Sequence, residues 1–137
     1  MFAAIACGTI GLIGGWGLAR STYPPLEVLL SDSKTVLGEE LAYPEGPAKI
    51  TAAIVTMLPG EETGWHRHEV PLFAWILEGE ITVDYGEKGE RSYSAGESFL
   101  EAFQSEHNGR NSGEELVRIL AVFAGAEGVS NTVMRNE

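Results

Sequence analysis

The stretch GWHRHEVPLFAWILEGE, residues 64–80, contains two of the three histidines of this 137-residue chain. Arg67 alone separates His66 from His68, and an apolar run and a Glu-Gly pair follow. Because side chains alternate between the faces of a strand, the two imidazoles lie on one face and Arg67 on the other. Two protonated rings would repel each other, whereas one shared divalent cation keeps both neutral. The spacing therefore suits two ligands of one metal.

Short β-rich segments alternate with turn signals on both sides of this stretch, and no sustained helical period occurs. The segments lie at residues 27–30, 35–41, 49–57, 65–68, 72–77, 80–85, 90–94, 97–102, 105–109 and 115–125. Glycine-containing pairs such as Pro59-Gly60 and Ala95-Gly96 mark the turns between them. About ten short strands at this spacing predict an all-β fold, either a sandwich or a barrel.

Length and charge limit the class of protein. A chain of this length forms one ordinary domain with a hydrophobic core. The formal net charge of −11 disfavours nucleic acid and anionic membrane surfaces as partners, because their phosphates are repelled by an acidic surface. The single cysteine, Cys7, excludes a disulfide framework within the chain.

The N-terminal segment differs in composition from the rest of the chain. Residues 2–19 carry no charge and are followed by Arg20. Their length is marginal for a membrane span, and Gly17 and Ala19 place small residues where a signal peptidase requires them. We therefore expect residues 1–20 to be a signal peptide or an N-terminal apolar anchor, although no Lys or Arg precedes the apolar run. The alternative is an apolar element packed on the domain.

This expectation sets the predicted localisation and domain limits. With a signal, the protein is exported and is periplasmic or membrane-anchored; without one it is cytoplasmic. Residues 21–26 contain a Pro-Pro pair and are interpreted as an extended linker. The β-barrel is expected over residues 27–125. Residues 126–137 form a polar tail that is expected to lie over its surface.

Glycines are regularly spaced around the histidine pair. Gly60 is followed by five residues, the His-Arg-His triplet, three residues, Leu72, six residues and Gly79. This spacing resembles the first motif of the cupin family, in which a glutamate occupies the position of Leu72. The EGE turn at residues 78–80 also resembles the family's usual turn between motif strands.

The second cupin motif has a counterpart in the C-terminal half. Gly96, His107 and Asn111 stand at motif positions, with Ser94 in place of the motif proline and a longer gap before the histidine. The resemblance covers roughly residues 26–125. It implies a single small-cupin barrel of the double-stranded β-helix or jelly-roll type, with a divalent metal near its centre. The metal ligands it implies are His66, His68 and His107.

Leu72 departs from the family pattern, because leucine cannot coordinate a metal. Three neutral imidazoles leave the ion its full positive charge, which favours small anionic or phenolic substrates and leaves room for dioxygen or water. The resemblance then implies a dioxygenase-like oxidoreductase that uses Fe2+, Mn2+, Ni2+ or Zn2+. A non-catalytic binding or sensing cupin and a sugar-type isomerase or epimerase are alternatives. The family also implies a homodimer.

Glu101 is the candidate catalytic residue. It lies within FLEAF, residues 99–103, an apolar context in which a carboxylate needs a partner or solvent. It is either a rim residue hydrogen-bonded to backbone, or a metal ligand or general base. Glu69 directly follows His68 and should point away from the imidazoles.

Overall fold

Nine strands and one turn of 3₁₀ helix, Gly86–Lys88, are the regular structure of residues 24–136, the part that our computed structural model describes. The strands are β1 Ala48–Met57, β2 His66–His68, β3 Leu72–Glu78, β4 Glu80–Asp84, β5 Glu90–Ser94, β6 Ser98–Leu100, β7 Asn108–Arg110, β8 Val117–Ala126 and β9 Thr132–Met134. The all-β class predicted from the sequence is confirmed. The signal peptide or anchor predicted for residues 1–20, and linker residues 21–23, lie outside the described residues.

Three antiparallel sheets form the wall of the barrel. The largest has the strand order β1-β8-β3-β6, a second has the order β5-β4-β7, and β2 pairs with β9. The long pair β1 and β8 runs from Ala48 opposite Ala126 to Met57 opposite Val117. This order places strands from distant parts of the chain side by side, as in a jelly roll.

Strand β3 shows why the sequence folds in this way. Leu72, Ala74 and Ile76 are buried, whereas the alternate residues Phe73 and Trp75 are only partly so. This alternation directs every second side chain into the barrel. Ala74 and Ile76 of β3 join a hydrophobic core that also contains Met57, Ile81, Val83, Tyr85, Phe99, Ala102, Val117 and Ile119.

The turn between β3 and β4 requires glycine. Gly79 has a φ of 73°, in the left-handed region that side chains disfavour. A Cβ atom there would lie 2.4 Å from the carbonyl oxygen of Leu116. The motif glycine therefore lets the hairpin pass close to the chain that leads into β8.

The two strands predicted before β1 are not formed. Residues 27–30 contain no strand, and the segment at 35–41 contains one end of a single bridge, between Lys34 and Glu40. Gly38 donates its N–H to the carbonyl oxygen of Thr35 and has a φ of 80°, so the chain turns back on itself there. The β-branched residues of the segment favour extended backbone, but this tight turn prevents a continuous strand.

Residues 127–136 of the C-terminal tail lie at the surface, exposed or half-buried, and part of the tail also forms a strand. Thr132–Met134 form β9, which pairs with β2 so that Thr132 lies opposite His68 and Met134 opposite His66. The tail therefore supports the strand that carries the histidine pair. In residues 24–136, we find no helix with the length and apolar character needed to cross a membrane.

Candidate metal centre

Three histidine side chains converge inside the barrel. His66 and His68 lie on β2, and His107 directly precedes β7. All three are buried, and each offers a ring nitrogen within 4.8 Å of the others. The ring centroids are 4.4 Å apart for His66 and His107, 4.9 Å for His66 and His68, and 5.0 Å for His68 and His107. The structure thus brings together the three histidines that the sequence indicates as candidate metal ligands.

Each imidazole is held in the tautomer that suits a metal ligand. The Nδ1 atom of every ring contacts a backbone carbonyl oxygen. These oxygens belong to Gly64 for His66 (2.8 Å), Asn131 for His68 (3.1 Å) and Ser105 for His107 (3.0 Å). Because a carbonyl oxygen only accepts hydrogen bonds, each Nδ1 carries the proton and each Nε2 keeps its lone pair. Such outer hydrogen bonds are typical of metal-binding histidines.

Burial also keeps the three rings neutral. Loss of solvation lowers the pKa of His66 and of His107 below the usual value. The same cause, with the two neighbouring imidazoles, lowers the pKa of His68 to about 3. Neutral imidazole is the form that binds metal ions. The donor set therefore fits a divalent cation without prior loss of protons from the rings at neutral pH.

Glu101 lies within the barrel beside His107, and not at its rim. Its side chain is buried, and its Oε2 atom is 3.8 Å from Nε2 of His107. The other oxygen, Oε1, accepts hydrogen bonds from the Tyr85 hydroxyl (2.8 Å) and the Ala102 N–H (2.7 Å). Burial raises the pKa of Glu101 to about 7, although the two hydrogen bonds act in the opposite direction.

Sequence reasoning did not identify Tyr85 as part of this site. Its hydroxyl is the partner that Glu101 requires in its apolar context, but Tyr85 follows β4 and Glu101 follows β6, so no local pattern links the two residues. A buried tyrosine hydroxyl normally needs a hydrogen-bond partner, and this general rule is the only signal that could have pointed to it. Asn111 is structural, since its amide donates to the carbonyl oxygens of Met57 and Glu115.

The three histidines and Glu101 face a cavity of about 240 Å³. Its other walls are mostly apolar and include Leu72, Val83, Phe99, Ile119 and Phe123. Leu72, at the position of the motif glutamate, thus contributes an apolar surface. Pockets for drug-sized ligands have volumes of roughly 300–1,000 Å³, so this cavity suits a smaller molecule.

Comparison with known proteins agrees with this architecture. A family model described as "Cupin domain" matches residues 53–123. Comparison with the curated proteins gives no match to the sequence.

Several solved structures share the fold at low sequence identity. An oxalate decarboxylase–formate complex from Lactobacillus farciminis superposes with a TM-score of 0.54 at 22% identity, over 62% of this chain and 26% of that chain. The DMSP lyase DddQ from Ruegeria pomeroyi gives 0.54 at 20% identity, over 62% of this chain and 42% of that chain. An uncharacterized protein from Klebsiella pneumoniae with a double-stranded β-helix domain gives 0.54 at 17% identity, over 80% and 86% of the two chains. The match therefore spans less than half of either enzyme's chain.

Proposed function

The chain belongs to the cupin family, and on that basis we propose that it is a small metal-dependent enzyme, a dioxygenase-like oxidoreductase. His66, His68 and His107 hold its divalent ion. One observation carries the proposal: each Nδ1 contacts a backbone carbonyl oxygen, which leaves each Nε2 lone pair for the ion. Imidazole ligands suit Fe2+, Ni2+ and Zn2+, and Mn2+ is the fourth candidate; Fe2+ is the one that suits oxygen chemistry.

The chain's own residues supply the surroundings for this chemistry. A divalent ion held by the three histidines would polarise a substrate oxygen, and iron would add redox reactivity toward dioxygen. Leu72, Phe99 and Phe123 give the cavity apolar walls that exclude water. Exclusion of water strengthens the attraction between a cation and an anionic substrate. A dioxygenase that cleaves a catechol or a β-diketone, or oxidises a thiol to a sulfinic acid, adds both atoms of dioxygen to a substrate that supplies all four electrons, so such a reaction needs no external reductant.

The proposed substrate is a small anionic or phenolic molecule. The cavity of about 240 Å³ limits its size. An anionic oxygen would balance the charge of a cation held by neutral imidazoles. The fold neighbours named as an oxalate decarboxylase and a DMSP lyase support this class, because oxalate and formate, the molecules named for the first, are small anions.

Metal analysis and oxygen uptake test the proposal. Untagged protein is analysed for bound metals, and the Fe2+-loaded protein is assayed for oxygen consumption with catechols, thiols and β-diketones. We expect one metal per chain and substrate-dependent oxygen uptake that is lost in His107→Ala. A wild-type chain that binds no metal contradicts the site. Metal binding without uptake for any compound contradicts the oxygenase and favours a non-catalytic binding or sensing cupin.

One observation favours a second candidate, a sugar-type isomerase or epimerase. Glu101 is a buried carboxyl with a pKa raised to about 7 beside the histidines, and general bases work best with a pKa near the working pH. Such an enzyme would move a proton next to a substrate carbonyl. Exchange of a sugar C–H for deuterium in heavy water, without oxygen uptake, would identify this activity. Absence of exchange with ketose and aldose substrates would contradict it.

We also propose that the protein is exported from the cytoplasm and that it forms a homodimer. The uncharged residues 2–19 and the following Arg20 support a signal peptide or membrane anchor. A homodimer is supported by the family and by apolar side chains on β1, where Ile50 is 65% exposed and Ile54 is 46% exposed. Cell fractionation of the expressed chain and analytical ultracentrifugation of the purified protein test the two points. Protein confined to the cytoplasm, or a monomer at micromolar concentration, would contradict them.

A further inference from the structure

We infer that Glu101 is a fourth protein ligand of the metal and replaces, from the neighbouring strand, the carboxylate that Leu72 cannot supply. The inference rests on the proposed three-histidine site and adds a charged ligand to it.

Strand register places Glu101 directly across from Leu72. Strands β3 and β6 are antiparallel with Phe73 opposite Leu100, and one further step brings Leu72 opposite Glu101. The Glu101 N–H donates to the Leu72 carbonyl oxygen at 3.0 Å, which continues the ladder by that step. Opposite residues of an antiparallel pair point to the same face, with Cβ atoms about 4.5–5.5 Å apart. A carboxylate at either position therefore reaches the same cavity, which both residues line.

The hydrogen bonds of Glu101 leave one oxygen for a ligand. Oε1 accepts from the Tyr85 hydroxyl and from the Ala102 N–H, which fix the carboxylate plane. Within residues 24–136 we find no donor to Oε2, which lies 3.8 Å from Nε2 of His107. Carboxylates that bind metals are commonly held in this way by an outer hydrogen bond to the second oxygen.

The buried charge requires compensation. Ionised Glu101 has no Lys or Arg partner within hydrogen-bond or ion-pair distance among the described residues. A buried carboxylate without a partner is costly, and a divalent cation beside Oε2 would compensate it. Three imidazoles with one carboxylate suit Mn2+ and Fe2+ better than three imidazoles alone, because carboxylate oxygen is a harder ligand.

Other carboxylates near the histidine pair are directed elsewhere. Glu69 forms an exposed ion pair with Arg67 at 3.1 Å. Glu62 accepts a hydrogen bond from the Asn108 amide at 2.9 Å on the surface. Glu101 is the acidic residue among those that line the cavity.

The test measures Mn2+ binding to metal-free protein by calorimetry and by the electron paramagnetic resonance spectrum of the bound ion. The variant Glu101→Gln keeps the size of the side chain and an acceptor for Tyr85 and Ala102, so it should fold. Glu106→Gln is the matched control: it makes the same charge change beside His107, but Glu106 is paired with Arg135 at the surface. The double variant Leu72→Glu/Glu101→Gln returns the carboxylate to the motif position.

We expect Glu101→Gln to weaken Mn2+ binding by at least roughly tenfold and to change the spectrum, since even outer-shell changes cost 10–100-fold in affinity. The control should bind as the wild type does, and the double variant should recover affinity. Wild-type affinity and spectrum in folded Glu101→Gln would overturn the assignment and leave the three-histidine site intact. By contrast, His107→Ala binding Mn2+ as well as the wild type would overturn the metal site itself.

Discussion

His66 and His107 exchange two backbone hydrogen bonds, 3.0 Å from the His66 N–H to the His107 carbonyl oxygen and 2.8 Å in the reverse direction. This isolated bridge joins the first residue of β2 to the residue just before β7. The side chains of His66 and His107 point to the same face, with ring centroids 4.4 Å apart. The main chain therefore sets the distance between these two candidate ligands.

Replacement of His107 with alanine should remove a ligand and keep this backbone bridge. We expect the affinity for Mn2+ or Zn2+ to fall by more than roughly 100-fold, because loss of a ligand exceeds the 10–100-fold effect of losing an outer hydrogen bond. Titration calorimetry on metal-free protein measures the change. Arg67→Ala is the control, since Arg67 lies on β2 next to the other two histidines but pairs with Glu69 at the surface. Equal losses in both variants would show that the effect comes from general disturbance of the structure around β2 and not from loss of a ligand.

The metal-free protein should lose stability through Glu101 as the pH rises from 4.5 to about 7. Burial raises the pKa of Glu101 from 4.5 to about 7, so in this range the folded chain holds a proton that the unfolded chain has lost. The expected decrease in the free energy of unfolding over this pH range is on the order of 3 kcal/mol. The histidines, with lowered pKa values, act in the opposite direction below about 6.5, so the comparison must be made against a variant that keeps them.

Urea denaturation of wild type and Glu101→Gln, with chelator present, measures this contribution. The stability advantage of the variant should grow from pH 4.5 to about 7 and then level off toward pH 8. Glu106→Gln should show no such growth, because its exposed carboxylate has a pKa lowered by hydrogen bonding to Arg135. A constant difference between wild type and Glu101→Gln across this range would mean that Glu101 titrates normally in the folded protein.

The parts of the site that depend on neighbours in sequence could be predicted. Alternation along a strand places His66 and His68 on one face whatever the rest of the fold does, and the structure has both buried and Arg67 outside. The turn signal Glu78-Gly79 likewise located the β3–β4 hairpin. These two features need only the local geometry of the chain, whereas His107 is identified through the resemblance to the second cupin motif.

The parts that depend on register between distant segments could not be predicted. The contact of Tyr85 with Glu101 follows from packing of the second sheet on the first, and no spacing within the sequence encodes it. The sequence places β9 within a polar tail, because three residues are too few to show a strand pattern. Its pairing with β2 supplies the Asn131 carbonyl oxygen that orients His68.

Removal of residues 130–137 should weaken metal binding without unfolding the barrel. The deletion removes both contacts of the His68 Nδ1 atom, the Asn131 carbonyl oxygen at 3.1 Å and the Thr132 hydroxyl at 3.2 Å. Because β9 pairs with β2 alone among the described strands, the two larger sheets keep their hydrogen bonds. We expect a loss of roughly 10–100-fold in Mn2+ affinity, as for other outer partners of metal-binding histidines.

Calorimetry and thermal melting measure the two effects of this deletion separately. A shorter deletion of residues 136–137 keeps β9 and should bind Mn2+ as the full chain does. If the longer deletion also retained full affinity, the C-terminal strand would have no part in orienting His68.

Substitution of the two motif glycines should separate backbone strain from steric conflict. Gly60 and Gly79 have φ values of 83° and 73°, so alanine is strained at both, at a cost of about 1–2 kcal/mol. A Cβ at Gly60 meets no atom of residues 24–136 within 4 Å, whereas one at Gly79 lies 2.4 Å from the Leu116 carbonyl oxygen. The conflict adds about 1–3 kcal/mol at Gly79, because the β3–β4 hairpin must move away from the chain entering β8. Urea denaturation should therefore show a clearly larger loss for Gly79→Ala than for Gly60→Ala. Equal losses would mean that the hairpin moves at little energetic cost, and that close packing against Leu116 is not the reason why this turn contains glycine.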